Sequence, residues 1–302
     1  MLAMISRIEQ LKKQRQAIIL AHNYQRDEVQ DIADYVGDSL GLAQTAAKTD
    51  AKVIVFCGVH FMAETAKIVS PKKKVILPDL RSGCPLADMV TAEDVKKLRI
   101  DNPGAGVVCY INTSADVKAE CDICCTSSNA VEVVESLPVE TVIFVPDRNL
   151  GSYVSKRTKK KMILWEGFCP THENLKKDDI IQTKKEFPQA EFVAHPECRL
   201  EVLELADRVA STSGIIKYVK SSQRGIFIIG TEIGLLHRLK KENPDKYFIA
   251  ASKQMFCRNM KYNNLELLYS ALENEGPEIN VQPDTIKKAQ SSIRKMLDIK
   301  RA

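Results

Sequence analysis

Long hydrophobic runs are the clearest absence from this 302-residue sequence. No apolar stretch approaches the ~18–20 residues of a transmembrane helix, so the sequence predicts no membrane span. The N-terminal segment also lacks the uninterrupted apolar stretch of ~7–15 residues that a secretory signal requires. We therefore expect a cytoplasmic protein whose N-terminus forms a short amphipathic helix.

The chain also has little excess of either positive or negative charge. The formal net charge is only +5, and lysine runs such as Lys72–Lys74 and Lys159–Lys161 are dispersed along the chain. Nucleic-acid binding is therefore not expected. The pattern G-x-x-x-x-G-K-[ST] is absent, which excludes a P-loop nucleotide site. The charge balance suits an enzyme that acts on small anionic substrates.

Cysteine, by contrast, is abundant, with nine residues in the chain. The cytoplasm keeps thiols reduced, and an odd number of cysteines argues against a complete disulfide framework. We therefore expect some of these thiols to hold a metal and the rest to be small core residues.

A threefold internal repeat organises the sequence. Four sets of short segments, mostly apolar, recur with a period of about 84–89 residues. One set begins at Ala17, Gly106 and Ala190, and another begins at Val53, Val142 and Ile226. The period is longer than that of a solenoid and matches a small domain present three times.

Each repeat alternates strand, helix, strand and helix, and its strands are short and apolar on both faces. This pattern predicts an α/β fold of three homologous small α/β/α domains with parallel sheets. We expect these domains to be arranged with pseudo-threefold symmetry around a central active site. The predicted units are residues 1–104 with the N-terminal helix, 105–188, 189–270, and a C-terminal helical extension over 271–302 that Pro283 helps to start.

Three cysteines close the three repeats at equivalent places. Cys84, Cys169 and Cys257 are 85 and 88 residues apart. Pseudo-threefold symmetry would bring their thiols around one axis. Three thiolates without a fourth are the ligand set of an iron–sulfur cluster that keeps one iron open to substrate.

The other six cysteines are weaker candidates for metal ligands. Cys121, Cys124 and Cys125 form C-x-x-C-C, but no partner pair completes the usual four-ligand zinc spacing, so core packing is expected. Cys57 and Cys109 lie on predicted strands. Cys198 follows Glu197 near the predicted cavity and is the next candidate ligand.

Polar residues cluster where the predicted strands end. Ser39, Ser127 and Thr212 occupy equivalent places at the start of helices, where each could simply cap its helix. Three hydroxyls facing one cavity would instead suit a phosphate or carboxylate. The first strand of each repeat is followed by groups suited to general acid–base chemistry, namely His22, Asn23, Tyr24, Tyr110, Asn112, His195 and Glu197. His22 and His195 are equivalent, and Ile111 takes the third place.

Together these residues resemble the quinolinate synthase family. The matching motifs cover nearly the whole chain in the family's order, and they are "AHNYQ", "QDIADYVGDS", "GVHFMAETAK", "GCPLAD", "YINTSA", "TSSNAVEVV", "PDRNLG", "GFCPTH", "HPEC", "ASTSG", "GTEIGLLHRL" and "CRNM". Asp88 stands where the family usually has Asn, "TSSN" replaces "TSAN", and "STSG" carries one residue more than "STG". The repeat alignment favours Thr212 over Ser211 and Ser213 for the contact made there.

The resemblance implies a [4Fe-4S] cluster held by Cys84, Cys169 and Cys257, with the open iron acting as a Lewis acid. It implies condensation of iminoaspartate with dihydroxyacetone phosphate to quinolinate, a step of de novo NAD biosynthesis. Substrate contacts are implied for His22, Ser39, Tyr110, Ile111, Asn112, Ser127, His195, Pro196, Glu197 and Thr212. We expect Glu197 to accept protons, with Tyr24 and His195 as its partners, and Phe61 and Met62 to form an apolar wall.

The implied partners are an aspartate oxidase or dehydrogenase that supplies iminoaspartate, and the iron–sulfur assembly machinery. Neither nucleic acid nor membrane is expected as a partner. Two alternatives remain at this stage. One is a zinc or mononuclear-iron hydrolyase using the same thiolates, and the other is a non-catalytic iron–sulfur sensor.

Overall fold

The computed structural model describes residues 2–299. Its framework is three separate four-stranded sheets, and every strand pairing within them is parallel. The central strands are rich in Val, Ile and Phe and almost wholly buried, as expected where helices cover both faces of a sheet. The structure therefore confirms the predicted α/β class with three small α/β/α units.

The first sheet and its helices occupy the N-terminal third of the chain. The elements in order are α1 (Leu2–Gln14), β1 (Ala17–His22), α2 (Asp27–Ile32), β2 (Tyr35–Gly37), α3 (Ser39–Lys48), β3 (Val53–Cys57), α4 (His60–Val69), β4 (Lys74–Ile76), a 3-10 helix (Ala87–Met89) and α5 (Ala92–Asp101).

The second sheet repeats this order in the middle third. Its elements are β5 (Gly106–Tyr110), α6 (Ala115–Ala119), β6 (Ile123–Cys125), α7 (Ala130–Ser136), β7 (Thr141–Val145), α8 (Arg148–Ser155), β8 (Lys161–Leu164), α9 (Pro170–Glu173) and α10 (Lys177–Glu186).

The third sheet is followed by two further helices. The elements are β9 (Glu191–Ala194), α11 (Leu200–Leu203), β10 (Arg208–Val209), α12 (Thr212–Ser221), β11 (Ile226–Gly230), α13 (Leu235–Glu242), β12 (Tyr247–Ala250), a 3-10 helix (Asn259–Tyr262), α14 (Leu265–Asn274) and α15 (Pro283–Asp298).

The three sheets share one strand order. It is β2-β1-β3-β4 in the first, β6-β5-β7-β8 in the second and β10-β9-β11-β12 in the third. The first strand of each repeat is thus central, and the second strand lies at the edge beside it. The period found in the sequence corresponds to this repeated topology. The domain boundaries after residues 104, 188 and 270 stay predictions, and α14 runs through the last of them.

Both predicted terminal helices are present. The N-terminal helix α1 packs on α14 and on the first sheet, and it buries Ile8 completely. Pro283 occupies the first turn of α15, where its missing N–H costs no hydrogen bond. None of the helices within residues 2–299 is long and apolar enough to cross a membrane.

The C-terminal helix α15 packs mainly on the second repeat. It contacts α6 and β6, and also α4 of the first repeat. Ile293 and Met296 are fully buried in this contact, and the Ser292 hydroxyl donates to the Lys118 carbonyl at 2.8 Å. The helix therefore joins the first two repeats through buried apolar side chains.

Replacing Ile293 by alanine should lower the free energy of unfolding by about 2–5 kcal/mol, because a buried side chain is lost and a cavity is left behind. Chemical denaturation of the metal-free protein measures the change. Arg294→Ala, on the exposed side of the same helix, should change stability by about 0.5 kcal/mol or less. Equal effects of the two changes would contradict the packing described.

Candidate active site and metal-binding residues

One cavity of about 230 Å³ lies where the three repeats meet. It is reached by the carboxyl ends of the central strands, because β1 ends at His22, β5 ends at Tyr110 and β9 is followed directly by His195. In parallel α/β sheets this end of the strands is where ligands bind. The site therefore draws on all three repeats, as the sequence predicted.

Most of the predicted site residues line this cavity. They are His22, Tyr24, Ser39, Cys84, Tyr110, Asn112, Ser127, Cys169, His195, Glu197, Thr212 and Cys257. Phe61 and Met62, which we expect to form an apolar wall, also line it. Ile111 and Pro196 are buried but do not line it, and Ile111 faces a small neighbouring cavity beside Phe61 and Met62.

The hydroxyls of Ser39 and Thr212 are not the helix caps. Asp38 caps α3 by accepting the Gly41 N–H, and Ser211 caps α12 by accepting the Gly214 N–H. Capping by the preceding residue leaves Ser39 and Thr212 in the first turn, facing the cavity. The simple capping explanation is therefore wrong for these two residues, and Thr212 rather than Ser211 lines the site.

A buried carboxylate, Glu197, is the centre of the polar network. Its Oε2 lies 2.8 Å from His172 Nδ1 and 3.4 Å from His195 Nδ1, and Asn112 Nδ2 donates to Oε1 at 3.5 Å. The rings of His172 and His195 stack with centroids 4.8 Å apart. His195 Nε2 lies 3.1 Å from Ser127 Oγ, so the network continues to a predicted substrate hydroxyl.

A second chain of hydrogen bonds leads from Glu197 to Tyr24. His172 Nε2 lies 2.9 Å from Thr231 Oγ1, and Thr231 Oγ1 lies 2.5 Å from the Tyr24 hydroxyl. Each link joins groups that can donate or accept, depending on their protonation. The order Glu197–His172–Thr231–Tyr24 is therefore a continuous path for a proton.

Burial and charge set the protonation of these groups. Burial alone would raise the pKa of Glu197, but the charge and hydrogen bond of His172, and then those of His195, outweigh it and hold the pKa well below the usual value. Burial lowers the pKa of His22 to about 3 and also lowers the pKa of His195. Burial raises the pKa of Tyr24, and the charge of Glu197 adds to it. The resting site thus holds a carboxylate, a phenol and neutral imidazoles at positions 22 and 195.

Sequence reasoning missed His172, Thr231 and Glu232. Both His172 and Glu232 line the cavity, and His172 is 2 % exposed. A signal for His172 was present, since it follows Cys169 by three residues, one helical turn along. Thr231 and Glu232 directly follow β11, at a strand end like the residues that were recognised.

The three predicted ligand cysteines line the same cavity and are all free thiols. Burial raises the pKa of Cys84 to about 12 and raises the pKa of Cys169 and Cys257 as well. For Cys84 and Cys169 the charges of the other cysteines add to the shift. Thiols gathered in this way would be deprotonated by a bound metal, whose positive charge removes their repulsion. The donor set therefore fits an iron–sulfur cluster.

The remaining cysteines are core residues. Cys57, Cys109, Cys124 and Cys125 are fully buried on strands, and Cys121 packs in the same core as the last three. Cys198, the next candidate ligand, is buried in the core of the third repeat and donates to the Gly230 carbonyl. None of these six thiols lines the cavity.

A different metal group overlaps the site. One ligand atom each from Cys169, His172 and Glu197 lies within 4.8 Å of the others. A soft or borderline cation such as zinc or iron could take this set. The arrangement keeps a mononuclear metal as an alternative to the cluster.

Fold and site together define an α/β enzyme of three repeats with an enclosed acid–base cavity and thiols suited to a metal. Residues 6–298 match the family model of the quinolinate synthetase A protein, NadA. Quinolinate synthases of Dehalococcoides mccartyi (strain CBDB1) and Geotalea uraniireducens (strain Rf4) are 53% and 55% identical, with 97% of both chains covered. Quinolinate synthase 1 of Methanosarcina acetivorans is 54% identical, with 98% of each chain covered.

The chain belongs to the quinolinate synthase family, which acts in NAD biosynthesis.

Lowering the pH from about 6.5 should destabilise the metal-free protein, because the unfolded chain takes up a proton on His22 that the folded protein resists until about pH 3. This group alone contributes a slope of about 1.4 kcal/mol per pH unit within that window. His195 acts in the same direction, and Glu197 adds to the loss only below about pH 4.5, where the unfolded carboxylate begins to be protonated.

His22→Asn should therefore make the free energy of unfolding less dependent on pH between about 4.5 and 6.5, as measured by denaturation at several pH values. His60→Asn is the matched control, since 44% of the His60 side chain is exposed. A slope that His22→Asn leaves unchanged would contradict the burial of a neutral imidazole.

Proposed function

We propose that this protein condenses iminoaspartate with dihydroxyacetone phosphate to form quinolinate, releasing one phosphate and two waters. Such a reaction makes it a transferase of the condensing kind. The observation that carries the proposal is the single cavity in which three free thiols from three repeats adjoin the path from Glu197 to Tyr24. Family membership supplies the substrates, and the cavity supplies groups that suit them.

Both substrates are anionic, and the cavity offers many hydrogen-bond donors. The hydroxyls of Ser39, Ser127 and Thr212 project into it from the three repeats. Asn112 adds an amide whose Oδ1 is buried without a partner, so it is free to accept from a substrate N–H or O–H. Neutral imidazoles at His22 and His195 add donors without an extra fixed charge.

Cys84, Cys169 and Cys257 would hold a [4Fe-4S] cluster. When bound, the cluster would supply a Lewis-acidic iron that polarises a substrate oxygen or nitrogen. Glu197 and His172 lie beside Cys169, since His172 Nδ1 is 3.2 Å from its sulfur. A substrate held at the thiols would therefore adjoin the acid–base groups.

The condensation requires protons to be removed from carbon and delivered to leaving oxygens. Glu197 is the acceptor, because its carboxylate is ionised at neutral pH and contacts two imidazoles at the cavity. Tyr24 is the donor, because its phenol stays protonated and can be resupplied from His172 through Thr231. Phe61 and Met62 exclude water on one side, which keeps reactive intermediates from hydrolysis.

The setting of the reaction follows from the substrates. Iminoaspartate hydrolyses readily, so an aspartate oxidase or dehydrogenase must supply it nearby. The iron–sulfur assembly machinery would load the cluster. Both requirements suit a cytoplasmic enzyme.

A mononuclear metal on Cys169, His172 and Glu197 is the second candidate for the same cavity. It would support a hydrolyase and would leave Cys84 and Cys257 without a ligand role. Metal content and the response of those two cysteines to substitution therefore separate the two hypotheses.

Anaerobically purified protein should contain about four irons and four sulfides per chain and show visible absorbance. Cys84→Ser, Cys169→Ser and Cys257→Ser should each abolish that absorbance, because each removes one of three ligands. Cys198→Ser is the matched control, since its thiol is buried in the core away from the cavity, and it should retain the cluster. Colourless protein with one zinc, or loss of the metal and its absorbance only in Cys169→Ser, would reject the cluster.

The activity is tested by mixing the anaerobic protein with dihydroxyacetone phosphate and freshly generated iminoaspartate. Quinolinate is the expected product. Its absence despite an intact cluster would reject the proposed reaction.

Thr231→Val should lower kcat about 100-fold or more with little change in KM, because it breaks the path between His172 and Tyr24 without removing a substrate contact. Steady-state kinetics on cluster-loaded protein measures both constants. Thr183→Val is the matched control, since the Thr183 hydroxyl donates only within α10. An unchanged kcat in Thr231→Val would show that the path carries no proton.

A further inference from the structure

The three loops that carry the cavity cysteines are attached to the sheets in the same way. After the third strand of each repeat, one backbone N–H donates to the carbonyl two residues before the cysteine. The bonds are His60 to Ser82 at 2.7 Å, Arg148 to Gly167 at 2.8 Å and Ile233 to Met255 at 2.9 Å. This shared bond aligns the repeats residue by residue, and it makes Val59, Asp147 and Glu232 equivalent.

Two of these equivalent residues are buried carboxylates that bind the cysteine backbone. Asp147 Oδ2 accepts the Cys169 N–H at 3.2 Å, and Glu232 Oε1 accepts the Cys257 N–H at 3.1 Å. Asp147 and Glu232 are both 0% exposed.

The second oxygen of each carboxylate binds the backbone just after its own strand. Asp147 Oδ1 accepts the Leu150 N–H at 2.7 Å, and Glu232 Oε2 accepts the Gly234 N–H at 2.7 Å. Each carboxylate is thus a two-point link between the sheet and a cysteine loop.

The first repeat lacks this link, because the Val59 side chain has no acceptor atom. Its cysteine loop is held instead from the third repeat, where Asn259 Nδ2 donates to the Gly83 carbonyl at 2.8 Å. Asn259 follows Cys257 by two residues. Beyond the His60 bond to Ser82, the position of Cys84 therefore depends on the Cys257 loop, and through it on Glu232.

The thiols take their hydrogen bonds from other N–H groups. Cys84, Cys169 and Cys257 accept from the backbone N–H of Ala87, His172 and Met260, three residues further on in each case. In the second and third repeats, the carboxylates bind the backbone N–H of the cysteine itself and not its sulfur. Backbone orientation at a ligand sets where its sulfur points, and groups that orient ligands control metal affinity.

We propose that Asp147 and Glu232 are positioning residues for the cluster ligands. Asp147 fixes Cys169, and Glu232 fixes Cys257 directly and Cys84 through Asn259. The inference rests on the proposed function in one respect, that these three thiols hold the cluster. The inference adds that the two carboxylates contribute unequally, because two cysteine ligands depend on Glu232 and only one depends on Asp147.

The test compares the cluster in wild-type protein with that in Asp147→Asn, Glu232→Gln and Asn259→Leu. Each amide replacement keeps the shape but presents an NH₂ group to one of the backbone N–H donors, so at least one bond is lost, and Glu232→Gln also weakens the contact with Lys261 Nζ. We expect release of iron to an anaerobic chelator to be about tenfold faster in Asp147→Asn, as expected for losing a hydrogen bond and leaving a buried N–H unpaired. Release should be faster still in Glu232→Gln, which also removes the ion pair with Lys261. Asn259→Leu should also speed release, and the electron paramagnetic resonance spectrum of the reduced cluster should change in all three.

Asn264→Ala is the matched control. Asn264 Oδ1 accepts the Leu267 N–H at 2.8 Å, the same capping bond that Asp147 makes to Leu150, but it binds no cysteine. This variant should lose stability without faster iron release or a changed spectrum. Thermal unfolding of each metal-free variant shows whether it is folded, and Asp147→Asn alone decides the question if Glu232→Gln does not fold.

Release rates and spectra in Asp147→Asn and Glu232→Gln that match the wild type would overturn this inference and leave the proposed function standing. Wild-type protein that holds no cluster would overturn the proposed function and this inference with it.

Discussion

A carboxylate without solvent must take its hydrogen bonds from its neighbours, and Glu197 places that demand at the centre of this molecule. It is 3% exposed, and its partners come from two repeats, because His172 and Asn112 belong to the second and His195 to the third. Leaving a buried charge unpaired costs several kcal/mol, so the repeats must meet in one arrangement for the network to close. The same contacts hold Glu197 ionised and aim two imidazoles at the cavity. The contacts that pack the second and third repeats together are therefore the same contacts that orient the acid–base groups.

The parts of the structure that could be predicted are those governed by periodicity. Strands buried on both faces are continuous apolar runs, and the ends of those runs mark where polar side chains such as His22 and Tyr110 enter the cavity. The cysteine period separated Cys84, Cys169 and Cys257 from the other six, and these three thiols line the cavity. It did so because each of them closes a repeat at an equivalent place.

The parts that could not be predicted depend on single-residue geometry. Whether Ser39 or Asp38 caps α3 depends on where the helix begins, and a shift of one residue changes which side chain faces the cavity. Thr231 looks like any residue after a strand until its hydroxyl is seen between Tyr24 and His172. Asp147 and Glu232 differ in side-chain length, and the equivalent residue of the first repeat is Val59. Only the hydrogen bonds to the cysteine N–H groups therefore reveal that Asp147 and Glu232 have the same role.

The contacts between repeats differ in chemistry, and this decides how strongly each contact resists separation. Helix α15 joins the first and second repeats through buried apolar side chains such as Ile293, which would be exposed if they separated. Around α2 and α13, by contrast, the first and third repeats meet through polar contacts. Gln30 donates to the Gly234 carbonyl at 2.9 Å, Arg238 donates to the Val36 carbonyl at 2.8 Å, and Lys241 pairs with Asp31 at 2.6 Å. Water can replace each of these partners at little cost, whereas it cannot replace apolar packing. The contact between α2 and α13 therefore resists separation less than the contact between the first and second repeats, which α15 covers with apolar side chains.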